Sequence, residues 1–427
     1  MPQIDTMNQR LVADPSRVVV RPFHLAWQAR GSDGNRSRRL VEDVLALSET
    51  EVEALLAEVL ADFEARHWHT RLVFERRFAE VWDKVANGEP RPGEARRQLL
   101  GAYFCHEYSY AAAALMNPSV TAHPDQSGLQ PGCTRFVMSL RAVGEGHIST
   151  IAFREGIVTD EGELTLMPEP RIATAADADM DEEEFQHGTV EVVRNPDTTL
   201  SGTVIFPITE SQSNGLEDLR LTCFTDDDGA HEWIGTYTAY NGSAIRSELL
   251  RTLDFRSFRL QPMSGSASVN KGMGLFPRRI DGRYAMIGRQ DGKNLFLLRS
   301  DRLDHWDGGT KIMEPRFPWE FIQIGNCGAP IELDEGWLLL THGVGAMRKY
   351  SIGAALLDKA DPSKVLARSS RPLLAARDHD REGYVPNVVY TCGAMRVGER
   401  LFLPYGLADS QVAFAFVQID ELLASLA

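Results

Sequence analysis

The sequence predicts a mainly β protein, a five-bladed β-propeller with an N-terminal α-helical extension. Helical patterns of apolar residues are confined to about the first 115 of the 427 residues. From Asn117 onward, short apolar runs alternate with Gly, Asp and Asn turns, as the strands of a β domain do. Five of these runs resemble one another, and repeated sheets of similar length are typical of propellers. We therefore expect a helical region over residues 1–115 and a propeller over residues 116–427.

The helices of the first region are predicted from caps and periodicity. Ser48 and Glu51 form a capping box, with a hydroxyl at the N-cap and a carboxylate three residues later. Apolar residues at helical spacing follow this box, and a second helix has an apolar face over 74–85. A third helix is expected over about 94–114. The segment 17–23 is predicted to be a lone strand that docks elsewhere.

The propeller prediction depends on five similar strands, each with a turn, a bulky residue, an apolar run and then a polar or aromatic residue. The bulky residues are Phe136, Trp233, Tyr284, Trp337 and Phe402. Three of the four gaps between them are 51 to 65 residues, close to one blade with its loops. The longest gap contains the acidic run 177–184, which we interpret as a surface loop without the pattern of a dedicated calcium loop. A pair of β-sandwiches is the alternative architecture.

Composition limits the partners that this chain can have. The net charge of −15 disfavours nucleic acid and anionic membranes, so a phosphate ligand would need a local basic cluster. The five cysteines lie far apart without metal-ligand spacing, which predicts free thiols in a reducing compartment. The start of the chain lacks the apolar core of a signal peptide, and no apolar run is long enough to span a bilayer. We therefore expect a cytoplasmic protein with no metal.

Polar residues at the ends of the similar strands are candidates for one site. Arg141, Arg289 and His342 each follow the bulky residue by five positions, and Asp409 comes directly after the last strand. If these are the innermost strands of a propeller, the side chains converge on the central funnel. Asp218 precedes its own strand and can reach the same funnel. Several basic groups with one carboxyl suit a sugar and an anion such as phosphate. The alternative is that each Arg closes a surface hairpin.

Asp218 also belongs to a short motif that suits acid chemistry. The pair Glu217-Asp218 is followed by Arg220, and a neighbouring cation helps to hold a carboxyl group in a chosen protonation state. A loop ion pair is the alternative reading of these three residues.

Eight short motifs over roughly 70% of the chain carry a family resemblance. They are Asn117-Pro-Ser119, Ser139-Leu-Arg141, Glu217-Asp-Leu-Arg220, the run 271–277, the run 325–331, the run 336–343, Leu356-Leu-Asp358 and the run 404–409. In this order they resemble glycoside hydrolase family 130, the mannoside phosphorylases and mannosidases built on a five-bladed propeller. The N-terminal helices are not part of the common family core.

The resemblance implies a role for each matching position. Asp218 matches the general acid, which protonates the glycosidic oxygen through the mannosyl 3-hydroxyl. The residues implied to hold the mannosyl unit are Asn117, Arg141 and Asp409, and those implied to hold phosphate are Lys271, Arg289 and His342. Neighbouring positions are assigned with them: Ser119, His147, Glu217, Arg220, Tyr240 and Tyr384 to the substrate, and Arg348 and Tyr350 to phosphate. Three positions differ from the usual pattern: Leu219 replaces Pro, Lys271 replaces Arg, and Gln323 lies near a Lys of some phosphorylases.

The implied activity is inverting phosphorolysis of β-1,2- or β-1,4-linked manno-oligosaccharides, giving α-D-mannose 1-phosphate. Inorganic phosphate is the co-substrate and no cofactor is expected. A homo-oligomer formed through the N-terminal helices is a further expectation, since their apolar faces must be buried. One alternative is a β-mannosidase, which needs a second carboxylate to activate water, with Glu145 and Glu382 as candidates. The other is a non-catalytic propeller that binds glycans.

Overall fold

The structure is a computed structural model that describes residues 2–23, 34–85, 88–179 and 188–427. Contacts within the chain divide it into two units. Unit 1 comprises Met1–Pro15, Tyr110–Glu169 and Ala176–Ala427, and unit 2 comprises Ser16–Ser109 and Pro170–Ala175. Within the described ranges, none of the helices combines the length and the apolar character needed to cross a membrane. All five cysteines are free thiols, as predicted.

Most of the regular structure is β. The helices are α1 (Gly34–Ala46), α2 (Glu49–Phe63), α3 (Thr70–Val85), α4 (Glu94–Tyr103) and α5 (Ile419–Ala424). The strands up to the middle of the chain are β1 (Ile4–Val12), β2 (Val18–Pro22), β3 (Cys105–Ser109), β4 (Ala114–Ala122), β5 (Cys133–Val143), β6 (Ser149–Thr159), β7 (Leu164–Leu166), β8 (Thr174–Ala175), β9 (Asp177–Asp179), β10 (Val190–Val193), β11 (Thr203–Ile205), β12 (Gly215–Thr225), β13 (His231–Tyr240), β14 (Ile245–Thr252) and β15 (Ser257–Pro262). The remaining strands are β16 (Gly274–Leu275), β17 (Tyr284–Gly288), β18 (Leu295–Ser300), β19 (Thr310–Met313), β20 (Gln323–Asn326), β21 (Ile331–Glu332), β22 (Trp337–Val344), β23 (Tyr350–Leu357), β24 (Val365–Arg368), β25 (Leu374–Ala375), β26 (Val389–Tyr390), β27 (Met395–Val397), β28 (Arg400–Leu407) and β29 (Gln411–Gln418).

Unit 2 contains the predicted helices. The capping box is confirmed: Ser48 Oγ accepts from the amide of Glu51 at 3.3 Å, and Glu51 Oε2 accepts from the amide of Ser48 at 2.8 Å. The third helix was predicted too long, because α4 ends at Tyr103 and the following residues form β3. That strand pairs antiparallel with β2, so the predicted strand has a partner within its own unit. Helix α1 was not predicted.

Unit 1 consists of groups of antiparallel strands. The first group is β4-β5-β6, with β7 and β11 on β6, and the second is β12-β13-β14-β15 followed by β10 and β9. These two groups meet at one parallel pair, Gly215 with Ser149. The later groups are β16-β17-β18-β19, then β20-β22-β23-β24 with β21 and β25, and finally β26-β28-β29-β1 with β27. The acidic run 177–184 contains β9, and its part within residues 180–187 lies outside the described residues.

Aromatic contacts lie between successive groups. The contacts, with distances between ring centroids, are Phe153–Phe255 (6.3 Å), Phe224–Tyr284 (5.5 Å), Phe276–Trp337 (5.0 Å) and Phe136–Phe402 (5.3 Å). The fourth contact joins the first group to the last. Large aromatic side chains dominate core energetics and favour tilted or edge contacts such as these. The groups are therefore held to one another mainly by apolar packing, with hydrogen bonds inside each group.

The five bulky residues of the sequence pattern occupy equivalent strands, because β5, β13, β17, β22 and β28 each lie second in their group. The expectation that these are the innermost strands is wrong, since each has a hydrogen-bonded neighbour on both sides. Their polar residues still converge because they lie at or just beyond the ends of the strands.

Candidate functional site

Two β-bulges place an amide and a carboxylate together. The register of β4 against β5 shifts around Asn117, and that of β12 against β13 shifts around Asp218. Both residues have left-handed backbones, with φ of 50° and 53°, which Asn and Asp tolerate better than most residues. Both are buried, and Asn117 Nδ2 donates to Asp218 Oδ1 at 2.6 Å. The bulges turn these side chains out of their ladders and toward each other.

Two arginines fix the acidic pair. Arg141 donates to Glu217 Oε1 at 2.7 Å and to Asp218 Oδ1 at 3.4 Å. Arg220 is buried and donates to the carbonyl oxygen of Asp218 at 2.8 Å and to the hydroxyl of Tyr390 at 2.7 Å. The backbone and the side chain of Asp218 are therefore each held by a cation. The motif is more than a loop ion pair, because it is buried and connects three strand groups.

These side chains line a cavity of about 180 Å³. Its lining residues are Asn117, Arg141, Asp218, Arg220, Lys271, Arg289, Gln323, His342, Arg348, Tyr350, Val388, Tyr390 and Asp409. Of these described lining residues five are Arg or Lys and two are Asp, although the whole chain has a net charge of −15. The cavity is thus the local basic cluster that an anionic ligand needs.

The pKa values of the two acidic residues are shifted in opposite directions. Burial acts to raise the pKa of Asp218, but the positive charges of Arg141, Lys271 and Arg220 outweigh it and hold the pKa well below its usual range. Burial raises the pKa of Glu217, and Arg141 offsets this only in part. With no ligand bound, Asp218 is therefore ionised at neutral pH.

Asp409 is the second carboxyl group in the cavity, and its environment favours the neutral form. It follows β28 with φ of 48°, another left-handed Asp. Burial and then the negative charge of Asp218 raise its pKa to about 6, against the opposing charges of Arg141 and Arg348. Asp409 thus changes its charge near physiological pH, while Asp218 remains ionised.

We predict that Asp409→Asn stabilises the protein at pH 8 and has little effect at pH 4. The pKa of Asp409 is about 6 in the folded chain, against an ordinary value of 3.8. Between these two pH values the folded chain keeps the proton that the unfolded chain has lost. Above pH 6 the folded chain must also ionise Asp409, and this lowers the free energy of unfolding. Removing that cost raises the free energy of unfolding at pH 8 by about 1–3 kcal/mol. Thermal unfolding of both proteins from pH 4 to pH 8 measures it. A difference in Tm that stays constant with pH would contradict the prediction.

The other end of the cavity contains an arginine and a histidine with unequal charges. Arg289 Nη1 donates to His342 Nε2 at 3.2 Å, and since Arg only donates, this nitrogen is the acceptor of a neutral imidazole. Burial and then the charges of Arg289 and Arg220 lower the pKa of His342 well below its usual value. His342 also stacks on Tyr350, with ring centroids 6.0 Å apart. It acts here as a neutral support for Arg289, whereas it was predicted to be a basic group.

A close backbone approach explains one motif of the family resemblance. A Cβ on Gly325 would lie 2.2 Å from His342 Cε1, so only glycine leaves room for the imidazole. A Cβ on Gly328 would similarly lie 2.4 Å from the carbonyl oxygen of Cys392. The run 325–331 thus lets the fourth and fifth groups approach each other beside the cavity.

Several buried polar atoms of the cavity have no partner. Asn117 Oδ1, Arg220 Nε and Arg289 Nε make no hydrogen bond to any described residue. Arg289 forms no ion pair with a carboxylate within residues 2–23, 34–85, 88–179 and 188–427. Buried polar groups are normally satisfied, and a buried unpaired cation is costly. The two arginine nitrogens are therefore available to donate to an anionic ligand, and the amide oxygen is available to accept from a hydroxyl group.

The predicted site residues do not all lie in this cavity. Ser119 is fully buried and accepts from the amide of Leu221 at 3.0 Å, and Glu217 lies behind the lining, bonded to Arg141. His147 and Tyr384 form an exposed pair, 3.2 Å between hydroxyl and Nδ1. Tyr240 bonds the carbonyl oxygen of Gly242 at 3.0 Å. The others line the cavity: Asn117, Arg141, Asp218, Arg220, Lys271, Arg289, His342, Arg348, Tyr350 and Asp409.

Three lining residues were not among the predicted site residues: Gln323, Val388 and Tyr390. Tyr390 accepts from Arg220 and meets the His342 ring edge-on at 4.8 Å between centroids. Its neighbours in sequence are apolar or small, and no bulky residue precedes it at the spacing of the other site residues. The left-handed Asn387, three residues earlier, is a turn signal that could have drawn attention to this segment.

Unit 2 contains a second cavity, of about 190 Å³. Its lining is mostly apolar, and its polar end has His67 bonded to Glu107 at 2.7 Å. None of the predicted site residues lies there, so the polar cavity of unit 1 is the candidate active site.

Comparison with known proteins shows the family of this chain. A family model described as beta-1,4-mannooligosaccharide phosphorylase matches residues 177–427, and the chain therefore belongs to glycoside hydrolase family 130. Asp218, Lys271, Arg289 and Asp409 lie inside the matched region, whereas Asn117 and Arg141 precede it.

Individual relatives match about half of this chain. A beta-1,2-mannobiose phosphorylase of Listeria innocua is 31% identical over 230 residues, which are 52% of this chain and 63% of that protein, less than two thirds of its length. A 1,2-beta-oligomannan phosphorylase of Thermoanaerobacter sp. is 36% identical over 222 residues, 50% of this chain and 72% of that protein. A solved glycosyl hydrolase from Bacteroides ovatus superposes with a TM-score of 0.53 over 73% of this chain and 86% of its own, at 19% identity. This last likeness concerns the fold alone.

Proposed function

We propose that this protein is an inverting β-mannoside phosphorylase, which transfers a mannosyl unit to phosphate and releases α-D-mannose 1-phosphate. The observation that carries the proposal is one cavity in which the carboxylate of Asp218 lies among a surplus of cations. The family and the phosphorylase names of two relatives support it.

The phosphate end of the proposed site is the side with Arg289. This guanidinium is buried, lacks a carboxylate partner among the described residues and is oriented by the neutral His342. Lys271 and Arg348 line the same cavity and add charge, and Tyr350 adds a hydroxyl. Arginine suits phosphate because its planar fork can donate two parallel hydrogen bonds. A phosphate there would compensate cations that the protein leaves unpaired.

The mannosyl end is the side with Asp218. Asn117 Oδ1 is free to accept from a sugar hydroxyl, and Asp409 and Arg141 add an acceptor and a donor. This arrangement suits a neutral, hydroxyl-rich ligand, since such groups bind polyols by several directed hydrogen bonds.

The proposed step is a single displacement. A phosphate oxygen forms a bond to C1 of the mannosyl unit from the face opposite the leaving sugar, and the C1–O glycosidic bond breaks. The leaving oxygen keeps the electron pair and takes one proton, which Asp218 supplies through the 3-hydroxyl. Asp218 is ionised when no ligand is bound. When phosphate binds, its negative charge offsets the cations that lower the pKa of Asp218. The phosphate monoanion also carries a proton, which the carboxylate of Asp218 takes up.

We propose a five-bladed propeller as the architecture of unit 1. Three observations support it: five groups of antiparallel strands among the described residues, aromatic packing between successive groups, and the Phe136–Phe402 contact between the first group and the last.

We also propose a cytoplasmic location, which suits the free thiols, and self-association through the helices of unit 2.

A β-mannosidase is the second candidate, favoured by one observation. Gln323 lines the cavity as a neutral group near the position where some phosphorylases have Lys. Hydrolysis with inversion needs a carboxylate base to activate water. Glu145 and Glu382 are both exposed and neither lines the cavity, so the structure favours phosphate as the nucleophile.

The deciding experiment is incubation with β-1,2- and β-1,4-mannobiose, with and without phosphate. We expect mannose 1-phosphate to form only when phosphate is present, at a rate that saturates with phosphate. Release of free mannose at the same rate without phosphate would contradict the proposal and establish the hydrolase. No turnover of either disaccharide under both conditions would leave the glycan-binding reading.

A further inference from the structure

Tyr390 connects the two ends of the cavity. Its hydroxyl oxygen accepts from Arg220 Nη2 at 2.7 Å, and the same arginine donates to the backbone carbonyl of Asp218. Its ring meets that of His342 edge-on, with 4.8 Å between centroids, and His342 accepts from Arg289. Tyr390 and Arg220 both line the cavity, and Tyr390 is only 9% exposed. One buried side chain thus contacts the residue that holds Asp218 and the residue that orients Arg289.

The hydroxyl hydrogen of Tyr390 has no acceptor among the described residues. An arginine only donates, so the bond with Arg220 uses a lone pair of the hydroxyl oxygen and leaves the O–H group unused. Burial raises the pKa of Tyr390 well above its ordinary value, against the opposing charge of Arg220, so the hydroxyl keeps its hydrogen at neutral pH. Buried donors are normally satisfied. This O–H group therefore indicates a ligand as its acceptor.

The hydrogen bond from Arg220 strengthens this hydroxyl as a donor. Arg220 is buried, and both of its acceptors within the described ranges are uncharged oxygens, the hydroxyl of Tyr390 and the carbonyl of Asp218. A cation that donates to a hydroxyl oxygen draws electron density from the O–H bond, and hydrogen bonds linked in this way reinforce one another where water is excluded. Such a donor favours an anion as its acceptor, because hydrogen bonds to charged groups are the stronger ones.

The ring contacts place this donor at the phosphate end of the cavity. The rings of His342, Tyr350 and Tyr390 contact one another, with centroids 4.8, 6.0 and 6.4 Å apart, and all three residues line the cavity. Arg289 donates to the first of them. The acceptor that Tyr390 lacks is therefore the anion that Arg289 would bind.

We propose that the Tyr390 hydroxyl donates to an oxygen of the bound phosphate while it accepts from Arg220. This inference rests on the proposed function and adds a further binding residue to the phosphate end. Arg289 binds the anion by its own charge, whereas Tyr390 contributes a neutral hydroxyl that Arg220 polarises. Since Arg220 also holds the backbone of Asp218, the phosphate and the proton donor are connected through one buried cation.

The test is Tyr390→Phe in the full chain, which removes the hydroxyl and keeps the ring contacts. Initial rates of mannose 1-phosphate release over a matrix of phosphate and mannobiose concentrations give both KM values and kcat. We expect the KM for phosphate to rise about 10- to 100-fold, because hydrogen bonds to charged groups contribute factors of this size. The KM for mannobiose should stay within about threefold, because the hydroxyl does not bind the sugar.

The matched control is Tyr284→Phe. The hydroxyl of Tyr284 also accepts from an arginine, Arg279 Nη2 at 2.8 Å, but neither residue lines the cavity. Its phosphate KM should therefore stay within about twofold of wild type. Thermal unfolding of the three proteins confirms that folded chains are compared.

A phosphate KM of Tyr390→Phe within about twofold of wild type would overturn the inference. A lower kcat with an unchanged phosphate KM would mean that Tyr390 only positions Arg220, and a rise confined to the mannobiose KM would assign the hydroxyl to the sugar. Both results contradict the proposal.

If the wild type releases no mannose 1-phosphate, the proposed function fails separately, and calorimetric titration with inorganic phosphate decides on Tyr390. About tenfold weaker binding by Tyr390→Phe than by wild type and Tyr284→Phe supports the inference. Equal affinity of all three proteins, or no binding by the wild type, refutes it.

Discussion

Replacing Asp218 by asparagine should lower kcat for phosphorolysis about a thousandfold or more, because a positioned proton donor typically contributes factors of this size. Asn tolerates the left-handed backbone at φ of 53°, so the bulge should persist.

The same variant should also change stability with pH. The pKa of Asp218 is lowered in the folded chain, so the ionised carboxylate stabilises the fold at pH values above its ordinary pKa, and this stabilisation is lost as the pH falls. Asp218→Asn should therefore have a lower Tm at pH 7 than wild type, and a smaller deficit at acidic pH. Mannose 1-phosphate release and thermal unfolding measure the two effects.

The matched control for this variant is Asp281→Asn. Asp281 also has a left-handed backbone, with φ of 51°, but it pairs with Arg299 at 2.8 Å and is not a lining residue of the cavity. We expect its kcat to stay within about twofold of wild type, since an exposed pair contributes little. Activity of Asp218→Asn near the wild-type level would remove Asp218 from the mechanism.

Replacing Arg289 by glutamine should raise the KM for phosphate about a hundredfold or more. Loss of a buried charged hydrogen-bonding partner commonly costs two or more orders of magnitude in affinity. The KM for the mannobiose should change by less than about threefold, because Arg289 lies at the phosphate end. Initial rates over a matrix of phosphate and mannobiose concentrations separate the two constants.

Arg283→Gln is the control for Arg289→Gln. Arg283 lies just before β17, the strand that Arg289 follows, and pairs with Asp301 on the surface at 3.0 Å. Its loss should leave both KM values unchanged. An unaltered phosphate KM in Arg289→Gln would place the anion elsewhere and favour water as the nucleophile, as in a mannosidase.

Much of the fold could be predicted because its strands repeat. The recurrence of a bulky residue before an apolar run marked the second strand of every group, from Phe136 to Phe402. Elements that lack a local signal were missed, such as β1 and α1. The length of the third helix was overestimated because β3 is stabilised by pairing with β2, whose residues are more than eighty positions earlier in the chain.

The sequence predicted which residues form the site better than it predicted the charges that these residues carry. Arg141, Arg289 and His342 were found by their common position relative to a bulky residue. The bond between Arg220 and Tyr390 joins residues 170 positions apart, and no sequence pattern signals it. The neutral state of His342 was also out of reach, because it depends on burial and on an arginine brought close only by folding.

The pairing of β1 with β29 affects how this protein folds. The register joins Ile4 to Val417 and Val12 to Gln411, so the last sheet is complete only when segments about four hundred residues apart have met. Contacts of such separation form slowly. Until then β29, whose residues 412–417 are all buried in the final fold, presents an uncovered apolar edge that other chains could extend. The covering strand is largely polar and exposed, so once in place it ends the sheet with an edge that resists aggregation.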